Sequence, residues 1–357
     1  MIVVLVALVA VAIIVQHPKQ ARATRGPVQR LYSPVTVDRV GIVEKLKAGK
    51  FDAVESTLKS YEDATTKDPR AEMNLAYAFS AFASSDPAIA GKVREWAANS
   101  TDSANAHCAR AIVLEEAASE ARGHEGGPTS SLPPDHFMDM EKDLNQAVME
   151  ADSARGLDPK LINAYLPAID AAKLEMDPVT MEEANKRALD KFPASFQIRR
   201  AIIISMEPRW GGSFDTMDKF ANESQAYVSM NPMLHYLLGF VAMAQAQDLQ
   251  TDEKWEPAIS LLNRAIELGG DYPSFYTYRG NSYYGLQQYA QALADYQCAN
   301  DLTPDNPENL QMLALTAHSL NRATDALGYA NQYLKLKDSN KEIADVHEWA
   351  LSQVLKN

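Results

Sequence analysis

The sequence predicts an all-α fold, a solenoid of stacked helical hairpins preceded by one N-terminal hydrophobic segment. Two observations carry this. Between Pro273 and Pro304, small residues (Gly280, Ala292, Ala299) and tyrosines (Tyr276, Tyr283, Tyr289, Tyr296) alternate at the spacing of two antiparallel helices with a turn near Gly285. Strand signals are nearly absent, since no β-branched run with period-two alternation occurs outside the N-terminus.

The small residues let two helices approach, and the tyrosines fill the space left between them. This stretch resembles a tetratricopeptide repeat, whose 34-residue pattern places aromatic, Leu-Gly, Tyr, Ala and Pro residues at set positions. Seven of the eight positions match; the Leu expected before Gly280 is Arg279. Leu310, Leu313, Ala314, Ala317, Ala326 and Ala330 continue the phase. Upstream, Leu238, Gly239 and Ala242 begin a unit that Ala258, Leu262 and Ala265 complete, with seven residues inserted, placed as a bulge at Gln247 to Glu253. Lys341 to Leu355 is expected to cap the last repeat, with Ile343, Val346, Ala350 and Val354 turned inward.

The chain has 357 residues, 46% of them apolar and only 8% aromatic, a composition that suits closely packed helix pairs. Net charge is −13, yet eight Lys or Arg lie between Lys19 and Lys50, so the body is more acidic than the total. An acidic body repels duplex phosphates and argues against nucleic-acid binding. Cys108 and Cys298 have no CxxC partner and read as small buried residues. Met1 to Val15 is one apolar run, reaching roughly 23 Å as a helix against a ~30 Å hydrocarbon core. Basic residues follow it, which favours a membrane anchor with the body on the cytoplasmic side. The alternative is a secretory signal cleaved after Ala21-Arg22-Ala23, leaving the body in the periplasm.

The expected organisation is a membrane segment or signal over 1–16, a basic linker over 17–36, a helical domain over 37–230 and a C-terminal repeat array over 231–357. Helices are expected over Val37 to Ala48, Phe51 to Thr65, Ala71 to Ala83, Pro87 to Ala98 (capped by Asp86) and Ser103 to Ala121. Gly123 to Asp135 is rich in Gly and Pro and breaks the pattern; its His124, Glu125, Asp135 and His136 fit no zinc spacing. Helical repeats resume at Phe137 and lose phase near Pro208. There Glu207-Pro208-Arg209-Trp210-Gly211-Gly212-Ser213 reads as a corner plugged by Trp210, with Ser213 capping a helix to about Met230. The Pro-Arg-Trp-Gly-Gly stretch, with the region from Val37 to Met230, resembles a bacterial domain family of unknown function found beside tetratricopeptide repeats. That resemblance implies no activity.

No phosphate loop or dinucleotide fingerprint occurs, and no cofactor is expected. His347-Glu348-Trp349-Ala350-Leu351 lacks the second His of a zinc protease helix, and Asp215 replaces the closing Gly of a nucleophile elbow begun at Gly211. The expected function is therefore a non-catalytic scaffold binding a peptide or protein on the concave face. Inward positions are expected at Tyr236, Phe240 and Met243, then Thr277, Tyr278, Asn281 and Tyr284, then Gln311, Leu315 and His318. The carboxylate clamp of some tetratricopeptide proteins needs Lys or Arg where this chain has Tyr236, Gln311 and Leu315, so the resemblance does not extend to it. Self-association and a ligand site at Arg209 and Trp210 are the other expectations.

Overall fold

The computed structural model describes residues 36–84, 86–123, 132–336 and 341–356. Among these it contains α-helices and short 3-10 turns and no strand. The first helices are α1 (Arg39–Lys47), α2 (Phe51–Thr65), α3 (Glu72–Phe79), α4 (Pro87–Asn99) and α5 (Ala104–Arg122). The middle holds α6 (Pro134–Leu157), α7 (Leu166–Glu175), α8 (Pro178–Lys191), α9 (Phe196–Ser205) and α10 (Phe214–Ser224). The C-terminal helices are α11 (Phe240–Thr251), α12 (Trp255–Gly269), α13 (Pro273–Gly285), α14 (Tyr289–Leu302), α15 (Pro307–Ser319), α16 (Ala323–Leu336) and α17 (Lys341–Val354). Met1 to Val15 and the His124–Glu125 pair lie outside the described residues.

The repeat is visible in the backbone itself. α12, α14 and α16 begin at residues 255, 289 and 323, and α13 and α15 at 273 and 307, all 34 apart. The hairpin turns repeat too. Glu253, Gln287 and Asn321 adopt left-handed φ of 55°, 57° and 56°, two residues before each second helix. Gly49 and Met176 (φ 69° and 57°) stand at the same place before α2 and α8. The next amide closes each turn onto a carbonyl five residues back, as from Lys254 to Leu249, Gln288 to Tyr283 and Arg322 to Ala317, each at 2.8 Å. This closure satisfies carbonyls that the helix end leaves without partners. The hairpin after Gly285 thus turns at Gln287. Gly285 serves a different need, because a Cβ there would lie 2.6 Å from the Trp255 ring.

Gly280, Ala292 and Ala299 do mark a close approach. A Cβ on Gly280 would lie 2.7 Å from the Tyr296 ring, and Tyr296, Ala292 and Ala299 are fully buried. Burying a side chain of Phe size stabilises by roughly 1.5–3 kcal/mol, which is why each repeat depends on its neighbour. Arg279, the departure from the pattern, grips Asp295 of α14 with two hydrogen bonds of 2.7 and 2.6 Å and reaches Asn263 of α12 at 2.7 Å. A three-helix polar clasp replaces the apolar contact of a Leu.

Several expectations change. The seven inserted residues form no bulge. They extend α11 to Thr251, and seven residues make about two helical turns, so the buried face stays in register. The first helix of that unit opens as a 3-10 stretch, Pro232–Gly239, and α10 ends at Ser224 rather than near Met230. Val354 is 36% exposed at the frayed end of α17, whereas Ile343, Val346 and Ala350 are buried. Cys108 is buried, but Cys298 is exposed on the outer side of α14.

One core cluster runs from Val37 to Phe275, crossing position 230 without a break, and a second spans Ala292 to Ala350. The stack curls until its first helices meet its last repeats. Arg39 donates to the carbonyl of Ser80 at 3.0 Å and to that of Asp305 at 3.4 Å, and α1 packs against α16. The curl leaves a lumen.

Candidate functional site: the central cavity

A cavity of about 700 Å³ occupies the concave side. α13 forms its floor, because Thr277, Tyr278, Asn281 and Tyr284 fall on one face of the helix. α11 contributes Gln247, Gln250 and Thr251; α15 contributes Glu308, Asn309 and Met312. Tyr77 of α3 and Arg209 of the corner complete the wall from the N-terminal side.

The floor is held rigidly. Tyr296 donates to Asn281 Oδ1 at 2.8 Å, which orients the amide and leaves its NH2 as a donor. Gln250 Nε2 donates to the Tyr278 carbonyl at 2.6 Å and to Ser282 Oγ at 2.7 Å, tying α11 to α13. Asn309 Nδ2 donates to the Tyr296 carbonyl at 3.1 Å. Burial pushes the Tyr278 and Tyr77 hydroxyls above the usual tyrosine range, so both remain neutral donors at ordinary pH. Aromatic faces, neutral hydroxyls and side-chain amides suit an extended peptide, whose backbone needs both donors and acceptors.

Four of the inward positions read from the sequence (Thr277, Tyr278, Asn281 and Tyr284) meet in this cavity. Tyr236 and Phe240 do not. Each is 1% exposed, packed with Phe196, Tyr272 and Phe275 at ring separations of 5.2–6.0 Å. The 3-10 opening of their unit turns them into the core, and Met243 is buried with them. Gln311 is half-buried and outside the cavity wall, which its neighbour Met312 lines instead. Leu315 packs on the second core, and His318 is exposed and meets the Trp349 ring edge-on at 4.3 Å, in contact with the cap.

Arg209 and Trp210 touch, the guanidinium 5.7 Å from the ring centroid, but line different cavities. Arg209 lines the central cavity and pairs with Glu207 at 2.5 Å, whose carboxyl burial holds above its usual range. Trp210 also lies under Arg122 at 5.2 Å and Lys173 at 5.7 Å, and walls a separate apolar groove of about 680 Å³ with Met176, Met206 and Phe220. The glycines are needed by the backbone. Gly211 has φ 89°, and a Cβ on Gly212 would fall inside the Met206 carbonyl. Ser213 caps α10 with a reciprocal Thr216 contact. No group of three or more His, Cys, Asp or Glu that could hold a metal occurs among the described residues.

Tyr77, Gln247, Gln250 and Trp255 were not visible as site residues. The two added turns of α11 carry the glutamines inward, and Tyr77 arrives only because the solenoid closes on itself.

The paired helices, their constant offset and the shared left-handed turn define a helical-repeat fold of tetratricopeptide type. No family model matches the sequence, and no curated protein matches it. Among solved structures the chain is similar to the first tetratricopeptide domain of Spaghetti (RPAP3) bound to an HSP90 peptide, at 19% identity over 34% of this chain and 94% of that one, TM-score 0.32. It is also similar to PilF of Pseudomonas aeruginosa, at 15% identity over 58% and 90%, TM-score 0.34. YrrB, a tetratricopeptide protein with an unusual peptide-binding site, gives 17% identity over 72% and 99%, TM-score 0.27. At these scores the fold assignment rests on the chain's own helix geometry.

Proposed function

We propose that this chain is a non-catalytic interaction scaffold that takes a peptide segment of a partner protein into its central cavity, and that Met1 to Val15 tethers it to a membrane. The observation that carries the reading is the floor of α13, where Tyr278, Asn281 and Tyr284 present two aromatic faces and an oriented amide to one cavity. An enzyme at the Pro208 to Gly212 corner is the weaker reading, because Arg209 is held by Glu207 and lies over the Trp210 ring, contacts that brace the corner itself. The test is affinity capture from a membrane extract. A specific partner should be captured by the full chain and lost with Tyr278→Ala plus Asn281→Ala, with the helical circular dichroism unchanged. Capture unaffected by that pair of changes would refute the cavity as the site.

The tether has its own test. No described helix is long and apolar enough to cross a membrane, so Met1 to Val15 carries that part of the proposal. Burying about fifteen apolar side chains, at ~25 cal/mol per Å², outweighs the ~1 kcal/mol per basic residue from anionic lipid. The full chain should sediment with membranes and resist high salt, which screens only the second contribution. Deleting Met1 to Val15 should release it. A mature N-terminus at Thr24 by mass spectrometry would sink the anchor and place the body outside the cytoplasm.

A further inference from the structure

α11 and α13 present side-chain amides to the central cavity from the same register position. Gln247 and Asn281 are 34 residues apart, one repeat, and both line the wall. Each offers the nitrogen end of its amide. Tyr296 donates to Asn281 Oδ1 at 2.8 Å, which leaves the Asn281 NH2 to a ligand. Gln247 Oε1 is buried without a partner, so contact with a ligand falls to its NH2. The next position in this series is Leu315, which packs on the second core, so the row of amides ends at α13.

Aromatic rings stand beside these donors. Tyr77, Trp255, Tyr278 and Tyr284 all line the wall. The Trp255 ring lies against Gly285, where a Cβ would come within 2.6 Å of it, and Tyr289 meets the Tyr284 ring edge-on at 5.2 Å. The platforms are therefore fixed before a ligand arrives. Charge is sparse. Among the described residues of the wall the charged side chains are Arg209, which pairs with Glu207, and Glu308.

The separation of the two amides selects the backbone that fits them. α11 packs on α13, tied by the bond from Gln250 Nε2 to the Tyr278 carbonyl at 2.6 Å. Packed helices stand ~8–10 Å apart, and equivalent positions on their cavity side are offset by about that distance. A β-strand presents the same side of its backbone every two residues, ~6.6 Å. A polyproline II helix does so every three residues, ~9.3 Å. The second spacing matches and the first falls short. We propose that the peptide taken into the central cavity binds as a polyproline II helix, with carbonyls three residues apart accepting from Gln247 and Asn281 and proline rings lying on the Trp255, Tyr278 and Tyr284 faces. Proline suits a pair of donors, since it keeps its carbonyl and gives up its N–H. Its conformation is set in advance, so little entropy is lost on docking to an aromatic-lined groove. The inference rests on the peptide-scaffold reading and names the partner's chemistry: a proline-containing, largely uncharged segment.

The probe is an array of three libraries of twelve-residue peptides. One fixes proline at two positions three residues apart, one carries alanine at those positions, and one alternates valine with threonine to favour a strand. Full-length wild type, Asn281→Asp and Gln247→Met are applied, with circular dichroism to verify the fold of each. Wild type should bind the proline library at least tenfold better than either of the others. Asn281→Asp keeps an acceptor for Tyr296 and loses the NH2, and Gln247→Met removes the other donor. Each should weaken the proline peptides about tenfold, ~1.4 kcal/mol. Equal binding of the alanine library, preference for the strand library, or proline peptides bound unchanged by either variant overturns the inference and leaves the scaffold standing. Failure of wild type to select any peptide overturns both.

Discussion

Glu72 is the residue on which two parts of the solenoid are fastened. Its buried carboxylate accepts from Ser195 Oγ at 2.7 Å, from the Gln197 amide at 3.1 Å and from Asn231 Nδ2 at 3.3 Å, joining α3 to α9 and to the segment before α11. Burial outweighs these bonds and raises the carboxyl to about 7 from an ordinary 4.5. The folded chain therefore holds a proton that the unfolded chain has released across that interval. Stability from this group is complete below about pH 4.5 and is lost as pH rises through about 7, by an amount on the order of 3 kcal/mol. Glu72→Gln, which stays neutral, should flatten the decline in stability between about pH 4.5 and 7. Denaturant titrations of variant and wild type that run parallel across that range would show that the fastening is not titrating. Ala292, fully buried where α13 meets α14, gives a second residue-scale test. Ala292→Trp should lower the melting temperature sharply, since overpacking costs ~1–3 kcal/mol or more. An unchanged melt would mean that the two helices do not approach there.

At the scale of the element, the hairpin turn explains what the sequence made legible and what it hid. Gly280 and Ala292 announce a close helix contact through their size alone, so the α13–α14 pair could be placed residue by residue. The turns carry a weaker signal, limited to Gly49 and Asn321. None of Glu253, Gln287 and Asn321 is glycine, and only Asn321 is of a type that tolerates the left-handed conformation, which costs ~1–2 kcal/mol for an ordinary residue such as Glu253 or Gln287. The prominent Gly285 instead answers to Trp255, a contact between repeats that chain order does not show. Gln287→Gly should raise stability by about 0.5–1 kcal/mol, the relieved strain less the entropy that glycine loses on folding. A measured destabilisation would place the turn elsewhere. Tyr236 and Phe240 were misplaced for a related reason. Repeat register assigns a face only if the helix is an α-helix, and theirs opens as a 3-10 stretch with three residues per turn.

For the whole molecule, closure is the feature that local sequence does not contain. Periodicity states that helices stack, but the curl that brings Arg39 to Asp305 sums small rotations over every repeat. That curl deepens the concave face into a cavity and brings Tyr77 and Arg209 toward the α13 floor. It also separates the two sides of the corner, so that Trp210 braces an outer groove while Arg209 lines the lumen. The central claim is that the partner enters the cavity and not the outer groove. It is tested most directly by placing a photo-crosslinking amino acid at Tyr284, in the cavity wall, or at Met181 of α8, in the wall of the outer groove, and irradiating the full-length protein with a membrane extract. Crosslinking of a discrete partner from position 284 and none from position 181 is the predicted result. A partner crosslinked from 181 and absent from 284 would contradict it.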